Sequence, residues 1–207
     1  MAVVVKIEGG FAEVGAGEWL VSRGQPTAFF GDAVRRRRKG WVVRDRGRLD
    51  LVETNGPAKC AAADRPFLTH IPCAERIFAV TEKVLVAPAA ARAGAELVKM
   101  VPMSAKGAIC ATEFGGEWVV MATASRTARM QVADGETLSV HPSAIVAWTG
   151  NRPTGFCPKL GLFDILLPRS PKNLLLHFHG PCLVWTEGVA AFSAFRPSAF
   201  TFQRRAC

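Results

Sequence analysis

The feature that most constrains this chain is a series of short apolar runs separated by turn residues. Residues 134–148 show it most clearly: an Asp-Gly-Glu turn, a strand with side chains alternating between two faces, a proline-marked corner, and a second apolar strand. Residues 174–188 contain two further short strands that meet at Gly180-Pro181. Glycine and proline interrupt the apolar runs along the rest of the chain. The sequence therefore predicts an all-β fold with little helix.

Composition allows a full hydrophobic core. The chain has 207 residues, of which 49% are hydrophobic and 21% are charged, so global disorder is not expected. No apolar run approaches the ~18–20 residues needed to span a bilayer, and the first residues lack the pattern of a signal peptide or an Arg-rich presequence. None of the six cysteines has the spacing of a zinc or redox motif, which predicts buried thiols in a reducing, intracellular compartment.

Three blocks of the chain resemble a known family. They read D-G-E-x-L-x-V-H-P-x-A-I-V-A-W, H-F-H-G-P-C-L-V-W-T-E-G and, upstream of both, F-G-G-E-W-V-V-M. The pattern resembles the altered-inheritance-of-mitochondria protein twenty-four family, also called mitochondrial biogenesis proteins, over residues 96–188. The resemblance implies a fused form of the tryptophan RNA-binding attenuation protein fold and, for a eukaryotic source, a mitochondrial location. It brings no catalytic residues.

A short internal similarity predicts two pseudo-symmetric halves. The run Gly17-Glu18-Trp19-Leu20-Val21 recurs as Gly116-Glu117-Trp118-Val119-Val120, and Gly56-Pro57 recurs as Gly180-Pro181. Together with the resemblance, this favours a duplicated double-stranded β-helix or jelly-roll-like fold. The expected N-terminal half covers residues 1–90 and the C-terminal half residues 91–207, with the seam in the Ala-rich stretch near residues 88–96.

Two histidines are the strongest candidates for chemistry. His177 and His179 are two residues apart on a predicted strand, so both side chains lie on the same face. Such a pair begins a cupin-type metal site, which would need further ligands such as His70, His141 or Glu187. Glu187 comes late and on a different strand from the pair. We therefore expect no metal, no other cofactor and no enzymatic activity, with a cupin-like metalloenzyme as the alternative.

The best candidate for binding is a cluster of cations, because the net charge of +9 favours an anionic partner. Arginine side chains bind phosphate oxygens in pairs, and an adjacent tryptophan could stack on a base. The predicted RNA- or anion-binding residues are Arg35, Arg36, Arg37, Arg38, Lys39, Trp41, Arg44, Arg46 and Arg48. The other tryptophans, which lie in apolar strands, are expected in the core.

These features together predict a non-catalytic β scaffold that works in an assembly. The assembly is either a homo-oligomer or a larger complex, because exposed strand edges favour pairing between chains. RNA or a ribonucleoprotein is the expected anionic partner of the basic segment. A peripheral membrane surface in mitochondria is the alternative, disfavoured because the basic segment has few apolar residues beside its cations.

Overall fold

The computed structural model describes residues 6–23, 27–31, 34–37, 49–99, 108–156 and 175–188, with the backbone alone for 6, 34–37, 93–99, 108 and 156. These residues form nineteen β-strands joined by turns and by short 3-10 segments. The strands are β1 Lys6–Glu8, β2 Phe11–Val14, β3 Gly17–Ser22, β4 Thr27–Gly31, β5 Val34–Arg37, β6 Leu49–Thr54, β7 Ala58–Ala62, β8 Phe67–Pro72, β9 Ile77–Val80, β10 Val84–Pro88, β11 Arg92–Lys99, β12 Ala108–Phe114, β13 Trp118–Thr123, β14 Thr127–Val132, β15 Thr137–Val140, β16 Ile145–Thr149, β17 Thr154–Phe156, β18 Leu175–His179 and β19 Cys182–Glu187. The predicted all-β class is confirmed.

The strands form four antiparallel sheets. The N-terminal sheet has the order β1-β2-β7-β4, and the C-terminal sheet has the order β15-β18-β17. Between them lie two six-stranded sheets, a first central sheet with the order β5-β6-β3-β10-β13-β8 and a second central sheet with the order β11-β12-β9-β16-β19-β14.

The strand order repeats with a period of six strands. Adding six to each strand number of the first central sheet gives the order of the second central sheet. The two smaller sheets each match half of a central sheet. Adding six to β11-β12-β9 gives β17-β18-β15, which is the C-terminal sheet. Subtracting six from β10-β13-β8 gives β4-β7-β2, which belongs to the N-terminal sheet. The described residues therefore form three repeats of six strands, over residues 11–62, 67–123 and 127–187, preceded by β1.

The strand order favours these three repeats over the two halves expected from the sequence. β13 pairs with β8 and with β10, so pairing crosses the predicted boundary at residue 90 extensively. The Ala-rich stretch that was expected to be a seam forms a 3-10 turn, Ala89–Ala91, inside the second repeat. The two Gly-Pro pairs lie in equivalent connections, β6–β7 and β18–β19, each of which leads from one sheet to a neighbouring sheet. The two Gly-Glu-Trp runs, by contrast, begin strands at different positions of the repeat, β3 and β13.

Three hydrophobic clusters separate the four sheets as layers. One contains side chains of the N-terminal and first central sheets, the next those of the two central sheets, and the third those of the second central and C-terminal sheets. A central strand must then be apolar on both faces, which explains the unbroken apolar runs of β10, β13 and β16. The terminal strands β2 and β15 alternate instead, because only one of their faces is covered.

Candidate functional site

The structure places part of the basic segment at the edge of a sheet. Arg35, Arg36 and Arg37 lie on β5, the outermost strand of the first central sheet, in register with Glu53, Val52 and Leu51 of β6. The remaining predicted binding residues, Arg38, Lys39, Trp41, Arg44, Arg46 and Arg48, lie outside the described residues.

A polar row covers the outward face of the C-terminal sheet. His177 Nδ1 lies 2.8 Å from Ser139 Oγ, and His179 Nδ1 lies 3.0 Å from Thr137 Oγ1. His179 Nε2 lies 3.4 Å from Thr154 Oγ1 on the other side of β18. The strand register creates this row, because it sets Ser139 and Thr137 directly opposite the two histidines. The prediction that the histidine side chains share one face is thus confirmed.

The other histidines that a cupin-type metal site could use have different neighbours. His141 Nδ1 accepts a hydrogen bond from the backbone N–H of Ser143 and starts the 3-10 turn Pro142–Ala144. The imidazole of His70 packs against the indole of Trp118 at 5.9 Å between ring centroids. Within the described ranges, no group of three or more His, Cys, Asp or Glu side chains has an arrangement suited to a metal ion.

We expect the histidine row to make folding depend on pH. Burial lowers the pKa of His177, and the neighbouring His179 lowers it further. Below the unfolded-state pKa of about 6.5, the unfolded chain then binds more protons than the folded chain. The stabilisation by neutral His177 is complete above that pH and is lost as the pH falls through the lower pKa of the folded state.

The measurement is the melting temperature of the wild type and of His177→Gln at about pH 7.5 and about pH 5. The wild type is expected to lose more stability on acidification than the variant. Glutamine keeps a polar side chain opposite Ser139 but does not titrate. Equal losses in the two proteins would show that His177 is not the responsible group.

Three of the four described cysteines, Cys60, Cys73 and Cys182, have the environment of core residues, whereas Cys110 is half-buried. Burial raises the pKa of both the Cys60 and the Cys73 thiol to about 12, and it also raises the pKa of Cys182. A catalytic or metal-binding thiolate needs the opposite shift. Cys60 Sγ instead donates to the backbone carbonyl of Ala12 at 3.3 Å. The prediction of buried hydrophobic cysteines is confirmed at these three positions, whereas Cys157 and Cys207 lie outside the described residues.

A buried ion pair joins the second and third repeats, and sequence reasoning missed it. Lys83 Nζ lies 2.6 Å from Glu187 Oε1 and donates to the carbonyls of Ser143 and Ile145, each at 2.7 Å. The backbone N–H of Ala124 donates to the second carboxylate oxygen of Glu187 at 3.0 Å. Burial lowers the pKa of Lys83, although Glu187 opposes that shift. The three acceptors are separated from Lys83 by more than 55 positions of the chain, so no local pattern signals the pair.

The four tryptophans within the described residues lie in the core, as the sequence predicts. Trp19, Trp118, Trp148 and Trp185 are all buried. Trp19 Nε1 donates to Thr54 Oγ1 at 2.9 Å, and the indole rings of Trp19 and Trp118 lie 5.8 Å apart. These rings therefore cannot serve as an exposed stacking platform for bases.

The fold and these contacts define a class: an all-β protein of three six-stranded repeats arranged in four layers. No model of a known protein family matches the chain, and no curated protein matches it. Among solved structures, the chain is similar to the crystal structure of protein SPYM3_0169 from Streptococcus pyogenes. The two share 13% sequence identity with a TM-score of 0.59, over 92% of this chain and 95% of that one. This likeness concerns the fold alone. No described helix is long and apolar enough to cross a membrane.

Proposed function

We propose that this protein is a non-catalytic scaffold subunit that binds RNA or a ribonucleoprotein through its basic segment. The observation that carries the proposal is the position of Arg35–Arg37 on the edge strand β5. An edge strand is accessible along its outer side, so a run of arginines there can follow a phosphate backbone. The low sequence specificity of such contacts suits a scaffold.

The environment of the ionisable groups supports a structural role. Lys83 and Glu187 neutralise each other, and Asp50 is bound by Arg23 with 3.1 Å between Oδ1 and Nη2. The histidines of the C-terminal sheet are held by hydroxyl groups on neighbouring strands. Each of these groups has a partner that stabilises the layered fold, which is the role we assign to them.

The family resemblance points in the same direction. The altered-inheritance-of-mitochondria protein twenty-four family is associated with the organisation of larger complexes, and the tryptophan RNA-binding attenuation protein fold assembles through its sheets. We propose that this protein is a member of that family and that, if its source is eukaryotic, it is located in mitochondria.

Replacing Arg35, Arg36, Arg37 and Arg38 by alanine is expected to weaken RNA binding and to flatten its dependence on salt. If the four guanidinium groups neutralise four phosphates of a single strand, the slope of log K against log salt falls by about 3. The measurement is a titration of a labelled single-stranded RNA by fluorescence anisotropy at several salt concentrations.

The matched control removes the same charge from positions spread over the surface. Arg76, Arg92, Arg126 and Arg152 are exposed and lie outside the basic segment. Their fourfold alanine variant should keep most of the salt slope. The proposal fails if the two variants behave alike, or if RNA binds the Arg35–Arg38 variant as tightly as the wild type at matched salt with the fold intact.

A further inference from the structure

Four large apolar side chains of the described residues are exposed: Ile7, Phe11, Phe30 and Phe67. Phe11 and Phe30 lie next to each other on the outward side of the N-terminal sheet. Ile7 is in register with the buried Ala12 and therefore lies on the inner side of that sheet, and Phe67 begins β8 of the first central sheet. Single exposed apolar residues are ordinary on a protein surface, but a contiguous group marks an interaction site.

Phe11 and Phe30 form the centre of this surface. Alternation along β2 and β4 turns both rings away from the core, whereas Ala12 and Cys60 face inward. The two rings meet edge to face with centroids 6.0 Å apart, and Phe30 is 57% exposed. The strand between them, β7, contributes Ala61 and the ion pair of Lys59 with Glu13, at 2.8 Å. We call the outward side of β2, β7 and β4 the N-terminal face.

The C-terminal sheet, at the opposite end of the four layers, has a polar outward face. There the outward face bears Thr137, Ser139, Thr154, His177 and His179, joined by hydrogen bonds. Repeat proteins require such polar terminal faces, because an end repeat has no neighbour to cover it. The C-terminal face follows this rule and the N-terminal face does not.

The second and third repeats contain faces that are equivalent to the N-terminal face, and in both repeats that face is covered. In the second repeat, β10 and β13 are the counterparts of β4 and β7, and their Val86, Val120 and Ala122 are buried in the cluster shared with the N-terminal sheet. In the third repeat, Ala147 of β16 and Trp185 of β19 are buried in the cluster shared with the first central sheet. In both cases another sheet of this chain covers the face. We therefore expect a sheet of the same kind to cover the N-terminal face.

We propose that the N-terminal faces of two copies of this chain pack against each other in a twofold-symmetric dimer. Phe11 and Phe30 of each copy lie at its centre. A twofold axis makes the contact self-complementary, since Lys59 of one copy can meet Glu13 of the other. Glu8 is in register with Phe11, Lys6 with Glu13, and Lys59 pairs with Glu13, so this face offers no excess of cations to attract an anionic membrane or RNA. The inference extends the proposed role as an assembly subunit by naming the partner of one surface.

The first test compares the purified wild type with Phe30→Asp by sedimentation velocity over a range of concentrations. The wild type is expected to be dimeric and Phe30→Asp monomeric, because the substitution removes the central aromatic ring and places a carboxylate of each copy in the centre of the contact. Thr154→Asp adds the same charge to the opposite end and should remain dimeric. Circular dichroism establishes that each variant retains its strand content.

A charge exchange tests the symmetry directly. Glu13→Lys and Lys59→Glu each place like charges across the proposed axis and should weaken the dimer, whereas the double exchange should restore it. A monomeric wild type, or a dimer that Phe30→Asp leaves intact, would overturn the proposal. So would binding of the monomer to anionic vesicles through Phe11 and Phe30. Because purified protein is used and the basic segment is unchanged, failure here leaves the RNA titration to be judged separately.

Discussion

Replacing Lys83 by alanine is expected to lower the free energy of unfolding by about 3–5 kcal/mol, the usual cost of removing one partner of a buried ion pair. The reason is the carboxylate of Glu187, which is only 17% exposed and would lose its counterion. The carbonyls of Ser143 and Ile145 would lose a donor at the same time. Urea unfolding followed by tryptophan fluorescence measures the loss.

The double variant Lys83→Met, Glu187→Leu distinguishes the ion pair from the space that it fills. Its two apolar side chains leave no buried charge, so it should be more stable than Lys83→Ala, whereas the carbonyls of Ser143 and Ile145 still lose their donor and keep it below the wild type. Arg76→Ala is the control for loss of an exposed cation that pairs at the surface with Glu113, where ion pairs contribute about 0–1 kcal/mol. A Lys83→Ala variant no less stable than this control would contradict the assigned role.

Trp148→Ala is the second substitution with a large expected effect, a loss of about 3–5 kcal/mol. Trp148 is fully buried in the cluster between the second central and C-terminal sheets. Its ring stacks on Phe78 with centroids 5.6 Å apart and meets the edge of Phe178 at 5.9 Å. Alanine would leave a cavity between two rigid sheets that cannot close around it. The measurement is again equilibrium unfolding.

Trp148→Phe provides a sharp contrast. Trp148 Nε1 is buried without a hydrogen-bond partner among the described residues, so phenylalanine removes a costly unsatisfied donor as well as some volume. The loss should therefore be well below that of Trp148→Ala. In Trp19→Phe, by comparison, Thr54 Oγ1 loses the indole donor at 2.9 Å, and the cost should be higher. A Trp148→Phe variant as unstable as Trp148→Ala would show that the indole nitrogen is satisfied.

The local sequence determined the strands and their two kinds of environment. Alternating residues such as those of Thr137–Val140 form a sheet with one covered face, and unbroken apolar runs such as Ile145–Thr149 form a central strand. Gly56-Pro57 and Gly180-Pro181 lie in equivalent connections of the first and third repeats. These features depend on backbone conformation and on side-chain polarity, both of which act over a few residues.

The number of repeats, the ion pair and the N-terminal face were decided only by tertiary structure. The period of six strands exists in the order of pairing, where β3 meets β10 and β9 meets β16, and pairing between distant segments leaves no local mark. Likewise, nothing in the local sequence distinguishes Lys83 from a surface lysine. Only the fold places Glu187 beside it. Phe30 and Trp148 are both aromatic residues in apolar strands. Only the stacking of sheets buries Trp148 between two layers and leaves Phe30 on the outer surface of the last one.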